Sequence, residues 1–329
     1  MRAAYSVQAW TLPGRFESNY SLVLATRERI LSADMPRISA TIITYNEERQ
    51  IERCIASVHD WCDEVVVLDS HSTDRTRELA TAFPKVKFAA HDFDGHIQQK
   101  NRAIDLAAGP WIFSLDADEE ATPELAQNAR SFVDRPENEA AQGVRIWRTT
   151  WHLGRFIRRS GWRNARYRLF RKGEGVWGGE NPHDQVFIKG RPRWQRNRGP
   201  ALKGDLIHYS FRDLSHQVDT INKFSSIIAF TRAERGTRFS LFKMLYKPWS
   251  KFSELYFFKL GFMDGMPGFI IAVSSAYATF LRWAKLYELR RTDLERPSNV
   301  RADYRVPQKS ADSFESAARS KAEAEANSP

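Results

Sequence analysis

From Ile38 onward the chain alternates short, almost wholly apolar runs with amphipathic stretches of about ten to fourteen residues. ISATIIT at 38–44 is rich in β-branched residues and predicts a strand. Ile51, Cys54, Ile55 and Val58 then recur at helical spacing within 47–59. EVVVLD is continuously apolar until its last residue, the pattern of a strand buried on both faces. RTRELATAF, with Ser72 or Asp74 as its cap, predicts a helix stopping near Pro84. VKFAAHDF reads as a third strand, and 96–108 as a helix halted by Gly109-Pro110. WIFSLD is a fourth strand, and Thr122-Pro123-Glu124 opens another helix with a cap and a proline in its first turn. This alternation predicts an α/β fold, a doubly wound, mostly parallel sheet with helices on both faces.

In such sheets ligands bind at the carboxyl ends of the strands. Three polar clusters fall there: Tyr45-Asn46-Glu47, Asp69-Ser70-His71-Ser72 and Asp116-Ala117-Asp118. Past residue 141 the texture changes to tryptophans, glycines and short β-like runs up to about Phe211, followed by helical patterns over 212–235 and 240–290. The expected organisation is a loose extension over 1–34, with a crisp start at Met35, and a catalytic domain over 35–211. That domain divides into a half bearing the strand-end clusters (35–140) and a β-rich half (141–211). A helical region over 212–292 and a disordered tail over 293–329 follow.

Composition sharpens this outline. The 329 residues are 42% hydrophobic, enough for a large core, and the formal charge of +10 favours anionic partners. Two cysteines, Cys54 and Cys62, supply neither a disulfide framework nor metal-site spacing, which fits a reducing compartment. Residues 1–34 contain no apolar stretch of the kind a signal peptide needs.

Two carboxylates two residues apart at a strand end, Asp116 and Asp118, can hold Mg²⁺ or Mn²⁺ beside a phosphate, or can form a turn feeding the next helix. Asp69 can accept hydrogen bonds from a nucleobase edge or a ribose. Ser72 and Asp74 read as turn and cap residues or as ligand contacts. Lys100 and Arg102 read as phosphate contacts or as a solvated helix face. Glu119 and Glu120 read as turn and helix-start residues.

ITYNEE, VVVLDSHSTDRT, QQKNRAI and SLDADEE, taken in that order, resemble the nucleotide-sugar-dependent glycosyltransferases of family 2, with the GT-A fold. GWRNARYRLFRKGEG, the tripeptide PHD and LIHYSF are similar to the narrower bacterial group of lipopolysaccharide core β-1,4-glucosyltransferases, and the likeness spans about 37–290. The resemblance implies that Thr44, Tyr45, Asn46 and Glu47 border the nucleotide base, with Ser72 nearby. Asp69 would bind uracil or ribose, and Lys100 would lie near the sugar or phosphates. Asp116 would reach ribose and metal, Asp118 would bind the metal, and His208 would stand where the family often has a late metal-binding histidine. It further implies a catalytic base in the loop GGENPHD: Asp184, with Glu180 as rival, where close relatives carry His-Glu and this chain carries His183-Asp184. The reaction implied is single displacement with inversion, the base taking a proton from an acceptor hydroxyl as the nucleoside diphosphate leaves. The donor implied is a UDP-sugar, with glucose the first guess.

Residues 145–172 hold ten Lys or Arg and no acid, as many positive charges as the net charge of the whole chain, with aromatic residues interleaved. An anionic glycolipid acceptor such as lipopolysaccharide inner core fits this stretch. Arg163, Arg168, Trp177 and His183 are the expected acceptor contacts. Nucleic acid would fit on charge alone, but the chain has no recognisable nucleic-acid module, so none is expected. GMPGFIIAVSSAYATFL at 265–281 falls just short of a spanning length, and the run before it mixes Lys with aromatics at helical spacing. Interfacial helices on a membrane surface are expected there, with a buried or homodimer helix and a true span as alternatives. The resemblance would put the protein at the cytoplasmic face of a bacterial inner membrane. Transfer to polyprenyl phosphate or another envelope glycan, and an inactive sugar- or phosphate-binding module, are the rival functions. A nucleotidyltransferase would need a Gly-rich loop after the first strand, and YNEERQ has none.

Overall fold

The computed structural model describes residues 37–180, 183–192, 199–292 and 294–300, together with a few positions between 315 and 323. The segment expected as a loose extension, 1–34, lies outside the described residues, as do the side chains of Glu180 and His183. Nine strands form one sheet. Its first half is the parallel array β3 (Val86–Ala90), β2 (Glu64–Asp69), β1 (Ile38–Thr44) and β4 (Trp111–Asp116). The second half continues with β8 (Asn164–Arg171), β6 (Gly143–His152), β11 (Ala201–His208) and β5 (Glu119–Ala121), while β7 (Arg155–Ile157) pairs with β6. There the ladders are mixed, because β8 meets β4 antiparallel and β11 runs parallel to β6. A separate hairpin joins β9 (Gly175–Glu180) to β10 (His183–Ile188).

The period-2 alternation of buried strands builds two cores. Val65 and Val67 of β2, with Trp111, Phe113 and Leu115 of β4, join Ile51, Cys54, Ile55 and Val58 of α1 (Ile51–His59) and Leu125, Ala129 and Val133 of α4 (Pro123–Asp134). The intervening Val66 and Ile112 point the other way. They pack with Ile104 of α3 (His96–Leu106) and with Trp177, Val186 and Ile188 of the hairpin. The expected helix over 75–83 is shorter, α2 (Thr76–Thr81): Asp74 accepts from Thr76 N and Oγ1 at its start, and Phe83 N turns back to Ala80 O at its end. At Gly204, with φ +89°, a Cβ would collide with the backbone of Leu125, so β11 lies directly on the start of α4.

Three helices follow: α5 (Leu214–Glu234), α6 (Leu241–Ser253) and α7 (Met266–Arg291), with a π-helical turn over Glu254–Phe258. The uncharged run of 265–281 makes up most of the first two-thirds of α7. Among the described residues no helix is long and apolar enough to cross a membrane. Asp264, buried ahead of α7, accepts from Arg158 N, Arg159 N and Ser160 Oγ at 3.2, 3.0 and 3.1 Å and so ties the helices to the loop after β7. The expected disordered tail falls largely outside the described residues, although Val300 within it is buried and 321–323 are helical.

Candidate active site

Sheet register assembles the site. Thr44 of β1 pairs with Asp69 of β2, and Ile43 pairs with Asp116 of β4, so these parallel strands end level. After Asp116 the chain turns through Ala117-Asp118 and returns as β5, whose Glu119 pairs with His208 of β11. That pairing brings His208 Nε2 to 3.0 Å from Asp118 Oδ2. A cleft of about 740 Å³ opens along this edge. Thr44, Tyr45 and Glu47 line it from the end of β1, Lys100, Asp116, Asp118, Asp184 and His208 from α3, the other strand ends and the hairpin, and Phe224 and Arg282 from the helices.

Lys100 is the hub. Buried on α3, it lies 2.7 Å from Asp116 Oδ1 and 2.7 Å from Asp184 Oδ2, with Nζ 4.1 Å from the centroid of the Trp177 ring. Burial alone would lower its pKa, but the two carboxylates outweigh burial and raise it. Asp116 Oδ2 meets Arg168 at 3.1 Å. Burial would raise the Asp116 carboxyl, yet Lys100 and Arg168 hold it well below the usual carboxylate range. Asp118 follows the same logic more mildly, burial opposing and His208 lowering. Glu47 goes the other way. Burial, then the charges of Asp118 and Asp74, push it from 4.5 up to about 7.

Around the first two strand ends the polar residues largely hold one another. Asp69 accepts from Ser72 N at 2.7 Å and Ser72 Oγ at 2.5 Å, Asn46 N donates to Ser72 Oγ at 2.8 Å, and Asn46 Oδ1 accepts from Thr73 N at 2.8 Å. Asn46 is at φ 55°, a left-handed conformation that asparagine tolerates better than most residues. Thr44 differs: its Oγ1 is buried at the cleft wall without a hydrogen-bond partner. Tyr45 is 59% exposed at the rim.

Of the expected acceptor contacts with described side chains, Arg168 and Trp177 lie together, the guanidinium 5.0 Å over the ring, but both are buried, and Arg163 is held elsewhere. Arg168 is buried, bonded to Asp116, Glu119 and the carbonyl of Ser114. Trp177 is buried in the second core, its Nε1 donating to Ser114 Oγ at 3.2 Å and its backbone paired twice with the Asn101 side chain at 2.9 Å. Arg163 is half-buried, ion-paired with Asp205 at 3.1 Å and 4.2 Å over the Trp147 ring. The expectation that the basic stretch meets an acceptor differs from the structure here, because alternate residues of a basic strand point inward to meet acids from elsewhere.

Glu119 is that acid, and sequence reasoning missed it. It stands in strand β5, not at a helix start, with its side chain fully buried between Arg148 and Arg168, and it accepts from Asp116 N at 2.8 Å. Glu120, also in β5, accepts from Tyr209 Oη at 2.8 Å. The run of ten cations without an acid among them draws its partners from other segments, and Asp116, Glu119 and Asp205 are among them.

The arrangement can hold a divalent cation only in part. Two cis ligands of an octahedral ion with bonds of about 2.1 Å stand about 3.0 Å apart, which matches the Asp118–His208 separation of 3.0 Å. Both oxygens of Asp116 are already held by cations. Among the described residues no three His, Cys, Asp or Glu side chains converge as a ready ligand set.

Comparison with known proteins gives the family. The sequence model of glycosyl transferase family 2 matches residues 39–188, the span that carries the strand ends, Lys100 and Asp184. The lipopolysaccharide core biosynthesis glycosyltransferase LpsC of Rhizobium meliloti is 31% identical over 264 residues, covering 76% of this chain and 92% of LpsC. The uncharacterized glycosyltransferase RT0209 of Rickettsia typhi is 30% identical, covering 78% of this chain and 88% of its own. Among solved structures, S. aureus TarS 1-349 with UDP-GlcNAc is 14% identical with a TM-score of 0.37, covering 78% of this chain and 92% of its own. Glucosyl-3-phosphoglycerate synthase from Mycobacterium tuberculosis with Mn²⁺, UDP and phosphoglyceric acid is 23% identical with a TM-score of 0.29, covering 37% of this chain and 45% of its own. On the family match and the likeness to LpsC over most of both chains, this chain is a glycosyltransferase that belongs to family 2.

Proposed function

We propose that the protein moves a sugar, glucose first, from a UDP-sugar to an anionic glycolipid of the lipopolysaccharide inner core, by single displacement with inversion. One observation carries this reading: Lys100 joins Asp116, on the donor strand edge, to Asp184, on the hairpin facing it, within one cleft. A donor-side carboxylate and an acceptor-side carboxylate are thereby held to one buried cation. The acceptor class is supported by the likeness to LpsC and by the basic composition.

In this reading the nucleotide lies along Thr44, Tyr45, Glu47 and Asp69, where the orphaned Thr44 hydroxyl offers a partner to a base or ribose. Asp184 Oδ2 is held by Lys100, which fixes the carboxylate and leaves Oδ1 to take the proton of the acceptor hydroxyl. Lys100 also keeps Asp116 from repelling that carboxylate. Asp118 and His208 would hold Mg²⁺ or Mn²⁺, the imidazole favouring the latter. Such a cation, when bound, neutralises charge on the departing diphosphate. Glu180 stays the rival base, opposite His183 in the hairpin register.

The domain reading follows: 35–140 for the donor, 141–211 for the acceptor, 212–292 for a membrane surface, here an anionic bilayer. On α6, Phe242, Leu245, Tyr246 and Trp249 form an exposed apolar face beside Lys243, Lys247 and Lys251. An isologous dimer through this face would crowd the lysine rows of two copies, whereas anionic headgroups complement them. Flotation of the full chain with phosphatidylglycerol-containing vesicles and not with pure phosphatidylcholine is the expected result.

The catalytic reading is tested by screening UDP- and GDP-sugars with Mg²⁺ or Mn²⁺ and deep-rough lipopolysaccharide. Nucleoside diphosphate release that requires both a UDP-sugar and the lipopolysaccharide is expected. Release that is unchanged without acceptor, or product found only with polyprenyl phosphate, overturns the acceptor assignment.

A further inference from the structure

The strand edge and the helices that line the cleft treat positive charge differently. At the strand edge Lys100 is clamped by Asp116 and Asp184, and Arg148 by Glu119. Where α5 and α7 form the wall, Arg282 lines the cleft with Phe224 and Ser225. Arg282 is half-buried, its Nε is buried without a hydrogen-bond partner, and it forms no ion pair among the described residues. Its charged neighbour, Arg232, is a second cation with an orphaned Nη1, lying over the Trp283 ring at 5.1 Å. Burial, and then the charge of Arg232, lower the Arg282 pKa.

Lys285, one turn along α7, shows what these helices do with a structural cation. Its ammonium is ringed by Asn222 O, Asn222 Oδ1, Ser225 Oγ and Ser226 Oγ at 2.7, 2.6, 2.9 and 2.7 Å. That clasp fixes α7 against α5 and so fixes where Arg282 stands. A cation held at a cleft wall beside a like charge, with no acid to answer it, opposes folding unless a ligand brings the acid.

We infer that Arg282, backed by Arg232, is an anion-binding subsite that holds a phosphate or carboxylate group of the acceptor. The inference rests on the donor lying at the strand edge, as proposed above, which leaves the helical wall to the acceptor. Trp162 and Phe211 line the cleft as well and offer aromatic faces on which a sugar ring can pack. Charge-assisted hydrogen bonds from a guanidinium recognise either anion, and an arginine is suited to both oxygens at once.

The test measures transfer kinetics with native, phosphatase-treated and carboxyl-reduced deep-rough lipopolysaccharide, for wild type, Arg282→Ala and Arg282→Lys. Loss of a charge-assisted contact predicts an acceptor KM raised about ten- to a hundred-fold by Arg282→Ala, less by Arg282→Lys, with the UDP-sugar Kd retained. Whichever treatment of the acceptor raises the wild-type KM without adding to the Arg282→Ala effect identifies the anion as phosphate or carboxylate. An equal acceptor KM in Arg282→Ala and wild type overturns the subsite while leaving the glycosyl-transfer reading intact. A second arm needs no acceptor: phenylglyoxal modification mapped by mass spectrometry, with UDP present to fill the donor site. Inorganic phosphate or acetate should slow modification of Arg282; no slowing by either overturns the inference even if lipopolysaccharide proves not to be the acceptor. Thermal stability of Arg282→Ala should equal or exceed that of wild type, and a marked loss would instead make Arg282 a structural cation.

Discussion

At the strand edge acids and bases interlock. Asp116 is held by Lys100 and Arg168, Glu119 by Arg148 and Arg168, Asp118 by His208, and Asp184 by Lys100. From residue 241 onward interlocked charge gives way to uncovered surface, apart from Glu254, which pairs with Lys251 and Lys259. Phe242, Trp249 and Phe258 are 71%, 65% and 82% exposed, no residue of α6 is buried, and Arg282 faces the cleft without an acid. The contrast separates two kinds of function. Interlocked charges fix a geometry in advance, which is what transfer chemistry on a nucleotide-sugar requires. Uncovered apolar and cationic surface calls for something outside the chain to complete it, which in the proposed reading is an anionic bilayer and an anionic acceptor.

The largest effect that would break this comparison is at Asp184. Asp184→Asn removes the proposed proton acceptor and keeps the shape, so transfer should fall about a hundred- to ten-thousand-fold. UDP-sugar affinity, measured by calorimetry, should persist. Near-normal turnover would move the base to Glu180. Next is Glu119→Ala, which strands Arg148 and Arg168 beside Asp116. Breaking a buried charge network of this kind costs about 3–5 kcal/mol, read as a fall in the denaturation midpoint in urea. A loss below about 1 kcal/mol would mean the strand edge is far less interdependent than its geometry implies.

On the helical side, Phe242→Ser with Trp249→Ser should reduce vesicle binding by at least about ten-fold, since each exposed aromatic is worth roughly 1.5–3 kcal/mol when buried. Fold stability should not fall, because neither side chain is packed in the core. If the double variant instead turned a lipid-free dimer into a monomer, this face would be a subunit interface.

The same contrast decides what could be read in the sequence. The four parallel strands and the α1 face of Ile51, Cys54, Ile55 and Val58 were legible because burial on both sides of a sheet leaves a continuous apolar run and burial on one side of a helix leaves a stripe. The clusters at Thr44, Asp69 and Asp116 were legible because parallel strands in register end together. Glu119 was not: a three-residue strand is too short to show a period, and its pairing with β11 spans almost ninety residues. Arg168 and Trp177 were misplaced because residue type alone does not say which side of a strand a side chain takes. Arg282 had no signal at all, since a missing partner is visible only in three dimensions.

Glu47 offers the smallest effect and the finest test of the donor edge, because it is the one carboxyl there pushed toward neutrality rather than held ionised. Its pKa rises from 4.5 to about 7, first through burial and then through Asp118 and Asp74. The folded state therefore holds the proton more tightly than the unfolded state. The stability this contributes is full below pH 4.5 and is lost as pH rises through about 7. Glu47→Gln cannot ionise, so its advantage over wild type should grow from near zero below about pH 4.5 to about 1–2 kcal/mol above about pH 8, discounted for partial exposure. Paired urea melts at the two pH values read this directly. Repeating them with Mn²⁺ sharpens the point. A cation at Asp118 and His208 would cancel the Asp118 charge that helps raise Glu47, and the gap at high pH should narrow. A gap indifferent to Mn²⁺ would place the cation elsewhere or nowhere, and the Asp118–His208 pair would then be an ion pair that serves the fold alone.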